Sequence, residues 1–492
     1  MRSRSPIVAF MVASSSLVLA QPRFSVTYPS SAYSGSFSGR VVIYFAKASA
    51  RMAPRFGPDW SNPQPMYSAV FKGMRPGRPM LISSANAIGF PGKLSKLADG
   101  DYKVQAVVDR NLGGRQIGQS PGNLYSGVRT IHLSGGSNQV VRLGCTNVVA
   151  EPTFVETKHL KFIKVRSRLL SAFYHRPTFV KGAVMLPDAW IESPKRKFPI
   201  FYEVPGFGGD PLQLSGRDGA SKGTLVEGVP FIKVYLDPNV PLGHSVFADS
   251  ANNGPWGKAL TTEFIPAVEK KFRAIGTMRT RFVGGHSSGG WSSLWLQVEY
   301  PDVFGGVWST SPDPVDFHEF QLVDIYSSGA NIFRDRSGKL VPLARMNGVV
   351  WIYAKNFSDM ERPIRGEQLG SFDAVFSPRG WDGNPERLYN PDMGKVNPAV
   401  ANAWKKYDIA LKLRREWKTL GPKLKGKLHI FCGDVDTFYL DGAVRALKKE
   451  MKVLGSDAEV AIVPGDHFSM MSPDLTKKMN TEMVAAFKRA GR

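Results

Sequence analysis

The sequence predicts an α/β protein with a mainly parallel central sheet, preceded by a small all-β accessory domain. Two observations carry this reading. From about Arg23 to Cys145, short β-like runs alternate with Gly, Pro, Ser and Asn, the punctuation of a sandwich. After a connector containing Pro152, near-continuous apolar runs alternate with helical stretches, as strands covered on both faces and their crossover helices require. The expected division is residues 21–150 for the β-sandwich-like unit and 151–492 for the α/β unit, with a cap or insertion at about 312–424.

Residues 1–20 stand apart. Arg2 and Arg4 precede the apolar run Pro6–Leu19, and Val18-Leu19-Ala20 offers a small-residue cleavage site before Gln21. This is the pattern of a signal peptide, and it predicts a secreted or periplasmic protein. No later stretch reaches the eighteen continuous apolar residues of a spanning helix, so no stable membrane insertion is expected. The formal charge of +23 favours anionic partners such as acidic polysaccharide, anionic lipid or wall polymer, against the commoner reading of a solubilising basic surface. Its basic residues are dispersed, and no basic tract with interleaved aromatics appears, so nucleic acid is not expected as a partner. Cys145 and Cys432 lie far apart and read as two buried thiols rather than a bridge.

Within the N-terminal unit, Gly39–Phe45, Asp101–Val108 and Val128–Leu133 read as strands, with Asp99-Gly100 as a turn. No catalytic grouping is visible there. Trp60, Tyr67 and Tyr102 are its candidates for carbohydrate contact, against the commoner fate of aromatics in a core.

In the second unit, Lys161–Val165 and Gly182–Leu186 read as an antiparallel pair at the sheet edge. Phe198–Val204 and Pro230–Leu236 read as buried strands, and Pro205-Gly-Phe-Gly-Gly-Asp210 as a glycine-rich turn following the first. Thr262–Phe272 places Phe264, Ile265, Val268 and Phe272 on one helical face. Strands are then expected at Phe304–Ser309, Lys427–Cys432 and Glu459–Val463, and helices from about Asp441 to Leu454 and up to Lys488. Right-handed crossovers gather the loops at the strands' C-terminal ends on one rim, where a site belongs. The long stretch after Ser311 mixes Trp351, Trp381, Trp404 and Trp417 with many Gly, Pro and Arg. It reads as a cap over that rim.

One turn on the rim carries chemistry. Arg281-Phe-Val-Gly-Gly-His-Ser-Ser-Gly-Gly-Trp291 runs from a strand through Gly285-x-Ser287-x-Gly289 into a helix marked by Trp291, Leu294, Trp295 and Val298. A serine at such a nucleophile elbow stands above the sheet, and the glycines let strand and helix pass closely. Its hydroxyl needs a base and an orienting acid. Gly433-Asp434-Val435-Asp436 and Gly465-Asp466-His467-Phe468 each follow a strand. Ser287, then an acid, then His467 is the chain order of α/β-hydrolases. Asp436 is preferred to Asp434 because the acid sits a few residues past the strand end, where the loop has turned inward. Asp466 is adjacent to His467 and diverges from it. The oxyanion needs two preorganised donors: the backbone N–H of Ser288 and, from the glycine-rich turn, that of Phe207, with Gly208 second.

Thr262–Phe272, Gly284–Gly290 and Tyr300-Pro-Asp-Val-Phe-Gly-Gly306, with Ser309 and Ser311 after it, resemble the core of the putative esterase family, which includes esterase D, enterochelin esterase, feruloyl esterase and the antigen 85 acyltransferases. The resemblance covers about residues 180–311 and 427–470. It implies a triad of Ser287, Asp436 and His467, with Phe207 and Ser288 as oxyanion donors. The chain departs from simpler members in its N-terminal domain, its insertion and the loop Gly243–Gly257, which makes His244, Asn253 and Trp256 candidate substrate contacts. The expected activity is cleavage of carboxylic esters through an acyl-enzyme on Ser287, on an ester substrate linked to carbohydrate or the envelope. Acyl transfer to a sugar hydroxyl, and a non-catalytic binding or envelope protein on a hydrolase scaffold, remain alternatives. No metal or organic cofactor is implied, since no His, Cys and acidic cluster has ligand spacing.

Overall fold

The computed structural model describes residues 21–134, 138–217 and 219–490; the signal-peptide expectation at 1–20 lies outside them. The N-terminal part contains two sheets. A three-stranded one, with Arg23–Thr27 between Met80–Ile82 and Val140–Gly144, faces a larger one built on Phe37–Lys47, Met66–Met74 and Gly100–Asp109. Phe24 and Phe45 meet edge-to-face between them at 5.5 Å.

Because side chains alternate along a strand, Phe37–Lys47 serves two cores. Val41, Ile43 and Phe45 fill the sandwich, while Val42 and Tyr44 on the opposite face join the main core of the molecule. The larger sheet is thus covered on both sides, and Val41–Ala46 is buried without a break, where a sandwich strand with one wet face would alternate.

The second sheet has eight strands: β1 Leu160–Ser167, β2 Thr178–Met185, β3 Ile200–Val204, β4 Ile232–Leu236, β5 Arg281–His286, β6 Val307–Thr310, β7 Leu428–Gly433 and β8 Glu459–Val463. Their spatial order is β1-β2-β4-β3-β5-β6-β7-β8. β2 runs antiparallel to β1 and β4, and every pairing from β4 onward is parallel. The C-terminal ends of β3 to β8 therefore share one rim.

The helix expected over Thr262–Phe272 starts earlier, at Trp256, and widens into a π turn at Leu260–Phe264 before Ile265–Phe272 resumes. Pro266 has no N–H to give the carbonyl four residues back, which breaks the regular ladder there. The insertion holds a hairpin, Pro342–Met346 with Val349–Tyr353, and helices at Ala354–Glu361, Gln368–Phe376, Pro398–Trp404 and Ile409–Leu424. It does more than overhang the rim. Its segment 363–368 runs to the N-terminal sheet, where Arg365 grips Asp109 with two hydrogen bonds of 2.6 and 2.7 Å and Arg40 donates to the Pro363 carbonyl at 3.1 Å. Cys145 and Cys432 are buried and unbonded. No helix among the described residues is long and apolar enough to cross a membrane.

Candidate active site

Between β5 and helix α1, Ser288–Glu299, lies Ser287 with φ 61° and ψ −126°. A residue with a Cβ is strained in this region and stays there only when its surroundings dictate it. They do so here: the Ser287 N–H donates to the Thr310 carbonyl at 3.0 Å, and the Ser287 carbonyl accepts from Trp291 N–H at 3.0 Å. Gly289 is obligatory, since a Cβ there would lie 1.9 Å from the Val204 carbonyl oxygen. The first turn of α1 is thereby pressed against the end of β3.

The expected acid and base, Asp436 and His467, lie in the loops after β7 and β8. Asp436 Oδ2 accepts from His467 Nδ1 at 2.8 Å, and both residues are buried. Asp436 Oδ1 also accepts from Phe438 N–H at 2.8 Å. Burial alone would raise the Asp436 carboxyl, but the His467 hydrogen bond and its other donors hold it below the usual range. Asp434 is exposed and accepts from Gly465 N–H at 3.0 Å, and Asp466 turns outward onto Ser469. The His467 ring lies 4.5 Å from that of His286, the residue before Ser287. Ser287 Oγ and His467 share no hydrogen bond among the described residues; such a contact commonly tightens only when substrate binds.

The glycine-rich turn runs alongside. A Cβ on Gly206 would sit 3.4 Å from the Ser287 Cβ. The Pro205 carbonyl accepts from His244 Nε2 at 3.0 Å, and the Gly209 carbonyl from Asn239 Nδ2 at 2.7 Å. Among the described residues, neither the Phe207 nor the Ser288 N–H donates to a backbone carbonyl outside the regular elements. Two uncommitted N–H groups next to a strained serine can donate to a developing oxyanion.

The three residues expected at the substrate are placed differently. His244 is 1% exposed; Nδ1 accepts from Val246 N–H at 2.9 Å, so Nε2 carries the proton given to Pro205. Burial pushes it down to about 4, and this neutral ring is a brace for the turn rather than a substrate contact. Asn253 is equally enclosed, with its backbone carbonyl taken by Tyr174. Trp256 is also buried, at the edge of a cleft of ≈ 1280 Å³ between the two sheets' domains.

Sequence reasoning missed Asp313 and Gln368. Ser288 Oγ donates to Asp313 Oδ2 at 2.6 Å, and Gln368 Nε2 reaches both, at 3.2 and 3.3 Å. An acidic residue three positions beyond the end of β6, on the same rim, was the available signal. Burial pushes Asp313 up to about 6 from an ordinary 3.8. A raised carboxyl contributes stability below its unfolded value and loses it as pH rises through the folded one. Asp313→Asn is therefore expected to gain on the parent between pH 4 and pH 7, by up to about 3 kcal/mol. Thermal unfolding of both proteins across that range checks this; a pH-independent difference would refute it.

For a metal, the described residues offer His429 and Glu459, near the N-terminal ends of β7 and β8, with Glu482 of the helix Pro473–Ala490. Lys478 already pairs with both carboxylates.

The model of a family described as Putative esterase matches residues 177–352. No curated protein matches the chain. Among solved structures, the chain is similar to a ferulic acid esterase at 14% identity and a TM-score of 0.41, covering 68% of this chain and 99% of that one. A fluorophosphonate-binding serine hydrolase of Staphylococcus aureus gives 14%, 0.40, and coverage of 66% and 98%. An S-formylglutathione hydrolase of Agrobacterium tumefaciens gives 15%, 0.38, and coverage of 69% and 97%.

Proposed function

We propose that the chain, whose residues 177–352 match the model of a family described as Putative esterase, is an exported carboxylic-ester hydrolase working through an acyl-enzyme on Ser287. His467 takes the Ser287 proton as the hydroxyl oxygen attacks the ester carbonyl, and Asp436 stabilises the resulting imidazolium. The tetrahedral oxyanion is received by the N–H groups of Phe207 and Ser288. The alkoxide leaves with the proton from His467, and water, activated by the same base, hydrolyses the acyl-enzyme.

The observation that carries this reading is the buried Asp436–His467 hydrogen bond of 2.8 Å, on the rim that also holds the strained serine. The amino-terminal pattern at 1–20 supports export, and the charge of +23 supports an alcohol part linked to carbohydrate or envelope polymer. Residues 21–150 form the accessory β domain and 151–492 the catalytic one, with the insertion at about 312–424.

A phosphonate directed at serine hydrolases is expected to add to Ser287, located by peptide mass mapping, and to leave Ser287→Ala unlabelled. A screen of acetyl, feruloyl and lipid esters then identifies the acyl group. A folded protein that takes no label and cleaves no ester would refute the proposal.

A further inference from the structure

The glycine-rich turn is held at its backbone, by His244 on the Pro205 carbonyl, by Asn239 on the Gly209 carbonyl and by a Gly209 N–H to Gly206 carbonyl bond of 3.0 Å, but no bond of this set engages the Phe207 peptide N–H. In Gly206-Phe-Gly-Gly209 only Phe207 carries a side chain, and Gly208 sits at φ 84°. Glycines on both sides leave the Phe207 peptide free to rotate unless its ring is anchored.

That anchor comes from the N-terminal sandwich. The Trp60 ring stacks on Phe207 at 5.6 Å and 29°, and the Arg115 guanidinium lies 4.5 Å from the Phe207 ring centre. Both partners are fixed by one carboxylate in the insertion. Trp60 Nε1 donates to Glu367 Oε2 at 3.0 Å, and Arg115 Nη1 pairs with Glu367 Oε1 at 3.4 Å while donating to the Gly366 carbonyl at 3.1 Å. Arg115 and Glu367 are both buried, so each charge depends on the other for compensation. Phe357 closes the group edge-on to Trp60 at 4.8 Å. The next residue, Gln368, reaches Ser288 and Asp313. One short strap therefore ties the sandwich to both proposed oxyanion donors.

We propose that the N-terminal sandwich is a working part of the active site, with Trp60 and Arg115 as positioning residues that hold the Phe207 N–H where the oxyanion forms. This rests on the reading of Phe207 as an oxyanion donor. Neither residue touches the reacting atoms; they act through the Phe207 ring. Loss of an oxyanion donor lowers kcat by about 10²–10³-fold, so loosening one lowers it by part of that.

The test compares Trp60→Ala, Trp60→Phe and Arg115→Lys with the parent in the full-length chain, reading kcat, KM, affinity for a boronic acid that mimics the tetrahedral intermediate, and thermal unfolding. Trp60→Ala is expected to lower kcat about 10–100-fold, with KM changed less than about threefold and boronate affinity falling in parallel. Trp60→Phe keeps a stacking ring and is expected to recover most of kcat. Arg115→Lys keeps the charge but loses the planar face over Phe207, and is expected to fall between them; it carries the test if Trp60→Ala does not fold. Parent-like kcat and boronate affinity in the folded variants, or a loss confined to KM, would overturn this inference alone. An inert parent that takes no phosphonate at Ser287 would overturn the ester-hydrolase reading, and this inference with it.

Discussion

Asp436→Asn is expected to lower kcat about 10⁴-fold, while Asp434→Asn, two residues away, stays within a few-fold of the parent. The difference follows from what each carboxylate holds. Asp436 is fully buried and accepts a hydrogen bond from His467 Nδ1 at 2.8 Å, so the other ring nitrogen is left free for the proposed role of base. An amide at 436 can present its N–H to Nδ1 instead, moving the imidazole proton to Nε2, where it cannot accept from Ser287. It also removes the charge that stabilises the imidazolium. Asp434 is exposed, and its carboxylate bonds only to the Gly465 backbone N–H among the described residues. Steady-state kinetics on a small activated ester decides this, with KM expected to stay near the parent value. Full activity in Asp436→Asn would remove Asp436 from the triad.

Gly289→Ala is expected to be among the most damaging single methyl additions for stability. Alanine suits a helix, so propensity alone predicts a gain. The added Cβ, however, would fall 1.9 Å from the Val204 carbonyl oxygen and 2.8 Å from that of Pro205, both backbone atoms that cannot swing aside. Helix α1 would have to lift from β3, taking Ser287 and the proposed oxyanion donors with it. A loss above about 4 kcal/mol is expected, read by denaturant unfolding or by failure to recover soluble protein. Gly92→Ala is the control: nothing lies within 4 Å of its Cβ position, so it should stay within about 0.5 kcal/mol. A Gly289→Ala variant as stable as that control would show that α1 and β3 are not pressed together.

What could be read from the sequence was local. The nucleophile turn is legible because its glycines mark a close approach between consecutive elements. Asp436 and His467 are legible because each lies just past a strand of five or six residues. His244 was placed in the correct loop, but a sequence does not say whether an imidazole faces a solute or a carbonyl; here it faces Pro205. Asp313 sits at a legible place yet has no motif around it. Least accessible was the clamp on Phe207. Arg115 and Glu367 are 252 residues apart, and Trp60 and Glu367 are 307 apart. No periodicity or spacing links such residues, because their meeting is decided by how two sheets pack. The same packing explains Val41–Ala46, whose unbroken burial requires a second core on the far side of the strand.

The double-faced strand Phe37–Lys47 also sets an order of events during synthesis. The partners of its inner face, Phe24 and Val104 among them, are made within about a hundred residues of it, so the sandwich can close early. The outer face, with Val42, Tyr44 and the carboxylate of Asp109, waits for the strap around Arg365, which is 256 residues downstream of Asp109. At roughly 5–20 residues per second, that is an interval of about 13–50 s. Over that interval the partners that the insertion supplies to the strand's outer face are not yet part of the chain.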